Sequence, residues 1–72
     1  MLNQISLSLS ALSGAERKVA ECALADPKWF VHAAVADIAR RSGVSQPTVI
    51  RFCRSMGFKG LPEFKIALSA DM

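Results

Sequence analysis

The stretch VADIARRSGVSQPTVIRFCRSM, residues 35–56, decides the fold of this chain. It predicts two short helices joined by a tight turn at Gly43. Ile38 and Ala39 face inward from the first of these helices. The second helix carries a stripe of apolar residues at positions i, i+3, i+4 and i+7, which are Val49, Phe52, Cys53 and Met56. One side of the second helix is therefore predicted to pack in the core, and the opposite side is predicted to face solvent.

The free side of this second helix carries Pro47, Ile50, Arg51 and Arg54. A helix that is held by one face and carries arginines on the other fits the major groove of DNA. Residues 35–56 are therefore predicted to form a helix-turn-helix motif. Ser45 is the expected N-cap of the second helix, and Gly57 is expected to end it.

Length and composition place the motif in one small domain, residues 1–72, with 51% apolar residues. No apolar run reaches the roughly 20 residues that span a bilayer, and no signal-peptide pattern is present, so we expect a cytoplasmic protein without a membrane partner. Residues 1–39 have a net charge of −1 and residues 40–72 a net charge of +4. This asymmetry favours a polyanionic partner on the side of the motif, although charge alone is equally compatible with an ordinary solvated surface.

The chain before the motif is predicted to be helical. Residues 2–12 show helical spacing of leucine and isoleucine, although Ile5–Ser10 also alternates with the period of a strand. Leu7 lies off the main stripe, and we expect it to be buried in the core of its own domain rather than in a dimer contact. The run Ser13-Gly14-Ala15-Glu16 is a capping box that starts a second helix. The inward residues of that helix are predicted to be Ala15, Val19, Cys22 and Ala23.

Two breaks complete the outline. Asp26-Pro27 ends the second helix and can begin a third, in which Trp29 and its aromatic neighbour are interpreted as core filler rather than a ligand box. A loop at 58–60 and a last helix over 61–70 follow the motif. The predicted fold is an all-α bundle of about five helices that contains a homeodomain-like helix-turn-helix without a wing.

The chemistry-bearing residues indicate neither a metal site nor an enzyme. Cys22 and Cys53 lie on apolar helix faces, and His32 is the only histidine, so the cysteines are interpreted as small buried hydrophobes. There is no Ser/His/Asp set, carboxylate pair or glycine-rich phosphate loop. We therefore expect no enzyme activity, no cofactor and no metal.

The start of the second motif helix offers the groups that nucleic acid requires. Its backbone N–H groups and the hydroxyls of Ser45 and Thr48 suit phosphate oxygens, whereas Gln46 can pair with adenine. Arg51 and Arg54 can each bind guanine or phosphate, and the sequence leaves that choice open. The structural alternative is that Ser45 only caps the helix and that the arginines are merely solvated.

The run SGVSQPTVIRFCRSMGFKGLPEFK, residues 42–65, resembles the N-terminal domain of the RpiR/HexR family of bacterial transcriptional regulators. The earlier run LSGAERKVAECALADP, residues 12–27, is similar to the family's preceding segment. The resemblance implies a homodimer that binds a palindromic operator in double-stranded DNA. It also implies a regulator that represses or activates genes of sugar catabolism, with repression the role we expect. A C-terminal sugar isomerase (SIS) domain that binds phosphorylated sugars is implied as well. HexR-like members respond to a phosphorylated keto-acid of glucose breakdown. These 72 residues do not include that domain.

Carried onto this sequence, the DNA-contacting set comprises Ser45, Gln46, Pro47, Thr48, Arg51, Arg54 and Lys59. Arg40 and Arg41 are weaker candidates. The competing hypothesis is a helical protein-interaction module that does not bind DNA, which exposure of apolar residues such as Leu7 and Ile50 would favour.

Overall fold

The computed structural model describes all 72 residues, and every element in it is helical. The six α-helices are α1 (Leu2–Ser8), α2 (Gly14–Ala25), α3 (Pro27–His32), α4 (Val35–Ser42), α5 (Gln46–Ser55) and α6 (Leu61–Ala70). A 3-10 turn, Leu9–Ala11, follows α1. The predicted all-α fold is confirmed. There are six α-helices where about five were expected, and the short helix that Pro27 was predicted to begin is one of them.

Side-chain caps set where α2 and α3 begin. The Ser13 hydroxyl oxygen accepts from the backbone N–H of Glu16 at 3.2 Å, as the capping box predicts. The Glu16 carboxylate accepts from the Ser13 hydroxyl at 3.2 Å rather than from the Ser13 amide. The Asp26 carboxylate accepts from the N–H of Trp29 at 3.2 Å, and Pro27 occupies the first turn of α3. Local sequence therefore fixes both helix starts.

The two helices of the motif, α4 and α5, end with the same C-terminal capping arrangement. Gly43 has φ +73° and Gly57 has φ +93°, which is the left-handed region that side chains avoid. The N–H that follows each glycine donates to a carbonyl five residues back, at 3.0 Å in both cases: Val44 to Ala39 and Phe58 to Cys53. This is the Schellman arrangement, and it fixes the direction in which the chain leaves each helix.

Phe64, on α6, is the centre of the core. It is fully buried and has three aromatic neighbours packed edge to face: Phe30 at 5.7 Å, Phe52 at 5.2 Å and Phe58 at 5.5 Å between ring centroids. These rings come from α3, α5 and the turn after α5. The last helix therefore holds α5 in place from the side opposite to its exposed face.

Polar contacts attach the outer helices. The Asp71 carboxylate accepts from the backbone N–H of Leu2 at 3.0 Å and pairs with the amino group of Met1 at 3.1 Å. The Leu2 hydrogen bond is the main reason that the pKa of the Asp71 carboxyl lies below its ordinary value. The Lys65 ammonium donates to the carbonyl of Ala33, where α3 ends. None of the helices is both long and apolar enough to cross a membrane.

Two predictions about burial were wrong. Leu7 is 83% exposed rather than buried, because Ile5, two residues earlier, occupies the core side of α1 and two residues of helix turn the next side chain away. Ala15 is also exposed, since burial along α2 begins only at Val19, one turn later. The inward positions of Val19, Cys22 and Ala23 are confirmed.

Replacing Phe52 by alanine should lower the free energy of unfolding by about 3–5 kcal/mol, because it removes a fully buried ring that packs on Phe64. Urea unfolding followed by circular dichroism measures the change. Leu7→Ala is the matched control, and we expect it to change stability by less than about 0.5 kcal/mol because Leu7 is exposed. Equal stability of the two variants would contradict the observed core.

Replacing Gly43 by alanine should cost about 1–2 kcal/mol, since an L side chain at φ +73° is strained even though the space around it is empty. Gly14→Ala is the control, because a Cβ at Gly14 also meets nothing within 4 Å and its backbone is helical. Thermal unfolding should show a loss for Gly43→Ala only. A loss of similar size in both variants would contradict backbone strain at Gly43 as the cause.

Candidate nucleic-acid interface

Helix α5 is held in the protein by one side only. Its residues Val49, Phe52 and Cys53 are fully buried, as predicted, and Met56 beyond its end is half-buried. The turn at Gly43 joins α4 to α5. Helices α2, α4 and α6 all pack against α5. The predicted helix-turn-helix motif over residues 35–56 is thus present, with α5 in the position of the recognition helix.

The opposite side of α5 is open to solvent. Four side chains of the predicted contact set are exposed on this helix: Gln46, Pro47, Arg51 and Arg54. Ser45 and Lys59, which flank the helix, are exposed as well. Ile50 differs from the prediction, because it is half-buried and packs against the core at the edge of this surface. These exposed positions cover most of the length of one helix face.

Thr48, by contrast, lies on the buried side of α5. It is only 8% exposed, and its hydroxyl forms a hydrogen bond of 2.9 Å with the hydroxyl of Ser45. Ser45 stands at the N-cap position of α5, but its side chain makes no hydrogen bond to the helix backbone, contrary to the expected cap. The two hydroxyls are therefore hydrogen-bonded to each other. Of these two residues, Ser45 is exposed and Thr48 is buried.

A contact that spans 39 residues attaches the far end of α5 to α2. The hydroxyl of Ser55, the last residue of α5, donates to the Glu16 carboxylate at 2.5 Å, and the same carboxylate accepts from Ser13. The capping box therefore does more than start α2: it also anchors the recognition helix. Sequence reasoning missed this link, because nothing in the local pattern relates Ser55 to residues so far away along the chain.

Ion pairs separate the arginines into two groups. Arg40 pairs with Asp37 at 3.1 Å, and Arg41 lies 4.0 Å from Asp26 and 4.4 Å from the centroid of the Trp29 ring. These two arginines, the weaker candidates, have acidic partners. Arg51 and Arg54 have none, so the positive charge of the recognition helix is uncompensated. That arrangement suits a polyanion.

The cysteines and the remaining acids form no reactive cluster. Both cysteines are free and buried, and no group of three or more His, Cys, Asp or Glu residues could hold a metal ion. Burial raises the pKa of the Cys53 thiol to about 12. A thiol with this pKa remains protonated at neutral pH, so Cys53 serves as a small apolar group on the buried face of α5.

The fold and this surface define a helix-turn-helix domain, the class that binds DNA through an exposed second helix. The whole chain, residues 1–72, matches the model of the helix-turn-helix domain of the rpiR family. The chain therefore belongs to that family, as the resemblance indicated.

Known relatives agree with this assignment. The chain is 47% identical over all its 72 residues to the HTH-type transcriptional regulator HexR of Escherichia coli (strain K12) and spans 25% of that protein. It is 52% identical over 62 residues to the bifunctional protein glk of Paraburkholderia xenovorans, covering 86% of this chain and 10% of that relative. The chain is thus much shorter than these relatives and aligns with only a part of each.

Two solved structures have the same fold. The N-terminal domain of the transcriptional regulator ybbH from Bacillus subtilis aligns with a TM-score of 0.90 at 32% identity, over 94% of this chain and 83% of that one. The Vibrio vulnificus NanR protein, complexed with ManNAc-6P, aligns with a TM-score of 0.92 at 33% identity, over 97% of this chain and 27% of that one. Both similarities run through nearly the whole chain.

The pKa of Cys53 predicts how stability depends on pH. The unfolded thiol loses its proton near pH 9.0 and the folded thiol only near 12, so the folded state holds the extra proton between these values. The free energy of unfolding should therefore fall as pH rises above about 9, and Cys53→Ala should lack this part of the fall. Urea unfolding of both proteins at about pH 8 and about pH 10 tests this. Identical pH dependence in the two proteins would show that the thiol ionises as freely in the fold as outside it.

Proposed function

We propose that this chain is the operator-recognition domain of a transcriptional regulator of carbohydrate catabolism, acting as a repressor. The observation that carries the proposal is the two-sided character of α5. Its inner residues are fully buried, while Gln46, Arg51 and Arg54 are exposed and have no acidic partner. A recognition helix in the major groove needs this combination of a fixed backbone and free polar side chains.

The proposed contact set comprises Ser45, Gln46, Pro47, Thr48, Arg51, Arg54 and Lys59. Within it, we expect Gln46 to read adenine from the first turn of α5, and the hydroxyl of Ser45, an exposed residue, to donate to a phosphate. Thr48 contributes indirectly, because its hydroxyl bonds to that of Ser45 and orients it. Pro47 starts the helix without an N–H that would need a partner.

The partners that we propose extend beyond this chain. Two copies would place two recognition helices one helical turn apart on a palindromic operator in double-stranded DNA, in the cytoplasm. The effector would be a sugar phosphate bound by a C-terminal SIS domain outside these residues. Support for this comes from the names of the relatives: HexR is a transcriptional regulator four times as long as the match, and NanR is complexed with ManNAc-6P.

A protein-interaction module is the second candidate. It is favoured by two exposed apolar side chains outside the motif, Leu7 at 83% and Ile66 at 72% exposure. Such a module would bind its partner through apolar burial, so its affinity would depend little on salt. The uncompensated arginines on α5 favour DNA instead.

Selection from a random pool of duplex DNA, followed by a salt titration, tests the proposal. We expect enrichment of inverted half-sites and an affinity that falls with log[salt], with a slope of about −0.9 for each phosphate contacted. Arg17→Ala is a matched control, because it removes an exposed arginine that pairs with Glu21 on α2. No enrichment, or an affinity independent of salt, would contradict the proposal and favour the interaction module.

A further inference from the structure

We infer that the two exposed arginines of α5 have different tasks on DNA: Arg51 reads a base, whereas Arg54 and Lys59 together hold a phosphate. This inference rests on the proposed function and deepens it. Spacing alone leaves the two arginines equivalent, since they lie three residues apart on one helix face. Their contacts in the folded protein distinguish them.

Arg54 is tied to the turn that follows the helix. Its Nε donates to the backbone carbonyl of Lys59 at 3.4 Å. This bond directs the guanidinium toward the end of α5 and leaves both terminal nitrogens, with four N–H groups, available. A guanidinium with a fixed plane and two free nitrogens matches two oxygens of one phosphate. Lys59 supplies an exposed ammonium from the residue whose carbonyl orients Arg54.

The turn that carries Lys59 is anchored to α5 and to the core. Gly57 reverses the chain with φ +93°, and the N–H of Phe58 donates to the carbonyl of Cys53. The ring of Phe58 then packs edge-on against Phe64 in the core. The orientation of the Arg54 guanidinium thus depends on a backbone segment anchored at both ends. A fixed cation at a fixed distance from the helix axis sets register on the DNA backbone and carries no sequence information.

Arg51, unlike Arg54, is not tied to any other part of the protein. It is exposed and takes part in no hydrogen bond or ion pair within the protein. It lies three residues earlier, which is about 4.5 Å closer to the N-terminal end of the helix, where base edges are contacted. An arginine with all its donors free can adopt the bidentate geometry toward O6 and N7 of guanine. The end of a recognition helix, where Arg54 lies, meets the DNA backbone instead.

The alternative is that Arg54 only stabilises the turn. In that case its removal would loosen the protein but would not change how many phosphates it neutralises. The salt slope distinguishes these roles, because it counts neutralised phosphates and does not depend on stability as long as the protein is folded. Circular dichroism at the assay temperature establishes that each variant is folded.

The experiment compares Arg51→Ala, Arg54→Ala and Lys59→Ala, with Arg17→Ala as the control for charge. Each protein is used to select from a random duplex pool, and its affinity for the wild-type consensus and for a scrambled duplex is measured at several salt concentrations. Arg51→Ala should lose the preference for guanine at one position and weaken binding to the consensus by roughly 5- to 150-fold more than binding to the scrambled duplex. Arg54→Ala and Lys59→Ala should keep the wild-type consensus, weaken both duplexes by similar factors and each reduce the salt slope by about 1.

Other results overturn the inference. A changed base preference in Arg54→Ala, an unchanged preference in Arg51→Ala, or a wild-type salt slope in folded Arg54→Ala would each contradict the division of tasks. None of these would contradict DNA binding itself. Failure of the wild-type protein to enrich any sequence would instead contradict the proposed function, so the two failures are distinguishable.

Discussion

The packing of three aromatic rings around Phe64 is the interaction on which the rest of the structure depends. Its partners are Phe30, Phe52 and Phe58, so one side chain joins α3, the recognition helix and the turn beyond it to the last helix. A domain of 72 residues buries a smaller share of its surface than a large one, and Phe64 with the three rings that contact it supplies much of the apolar area that such a core requires. Because this cluster lies under α5, it also determines which face of α5 remains exposed.

Local sequence signals predicted most of the fold, because each reflects a constraint within a few residues. The cap at Ser13, the Asp26-Pro27 break, the glycine at 43 and the apolar stripe of α5 all depend on neighbours one or two turns away. The errors arose where burial depends on tertiary contacts. Leu7 lies off the main apolar stripe of α1 and was nevertheless expected to be buried, but the core covers only one side of that helix, and that side is occupied by Ile5.

The candidate site was predictable to the same extent. The outward direction of Gln46, Arg51 and Arg54 follows from helix geometry once the inner stripe is known. The pairing of Ser45 with Thr48 and the bond from Ser55 to Glu16 do not follow from it. The first replaces an expected side-chain cap by a bond between two hydroxyls, and the second joins residues that are 39 positions apart. The second requires the folded arrangement, in which hydrogen-bonding groups meet by tertiary packing. The first is local, but the sequence offers the Ser45 hydroxyl more than one hydrogen-bond partner within the first turn of α5.

The paired glycine ends of α4 and α5 have a consequence for how such a domain can diverge in evolution. Each end sets where the following segment points, so one inserted residue within α5 would rotate everything beyond it by about 100° and carry the buried stripe away from Phe64. Single substitutions on the outer face disturb neither the ends nor the core. Relatives that bind different DNA sequences should therefore differ by exchanges on the exposed face of α5, while the spacing between the two glycines stays fixed.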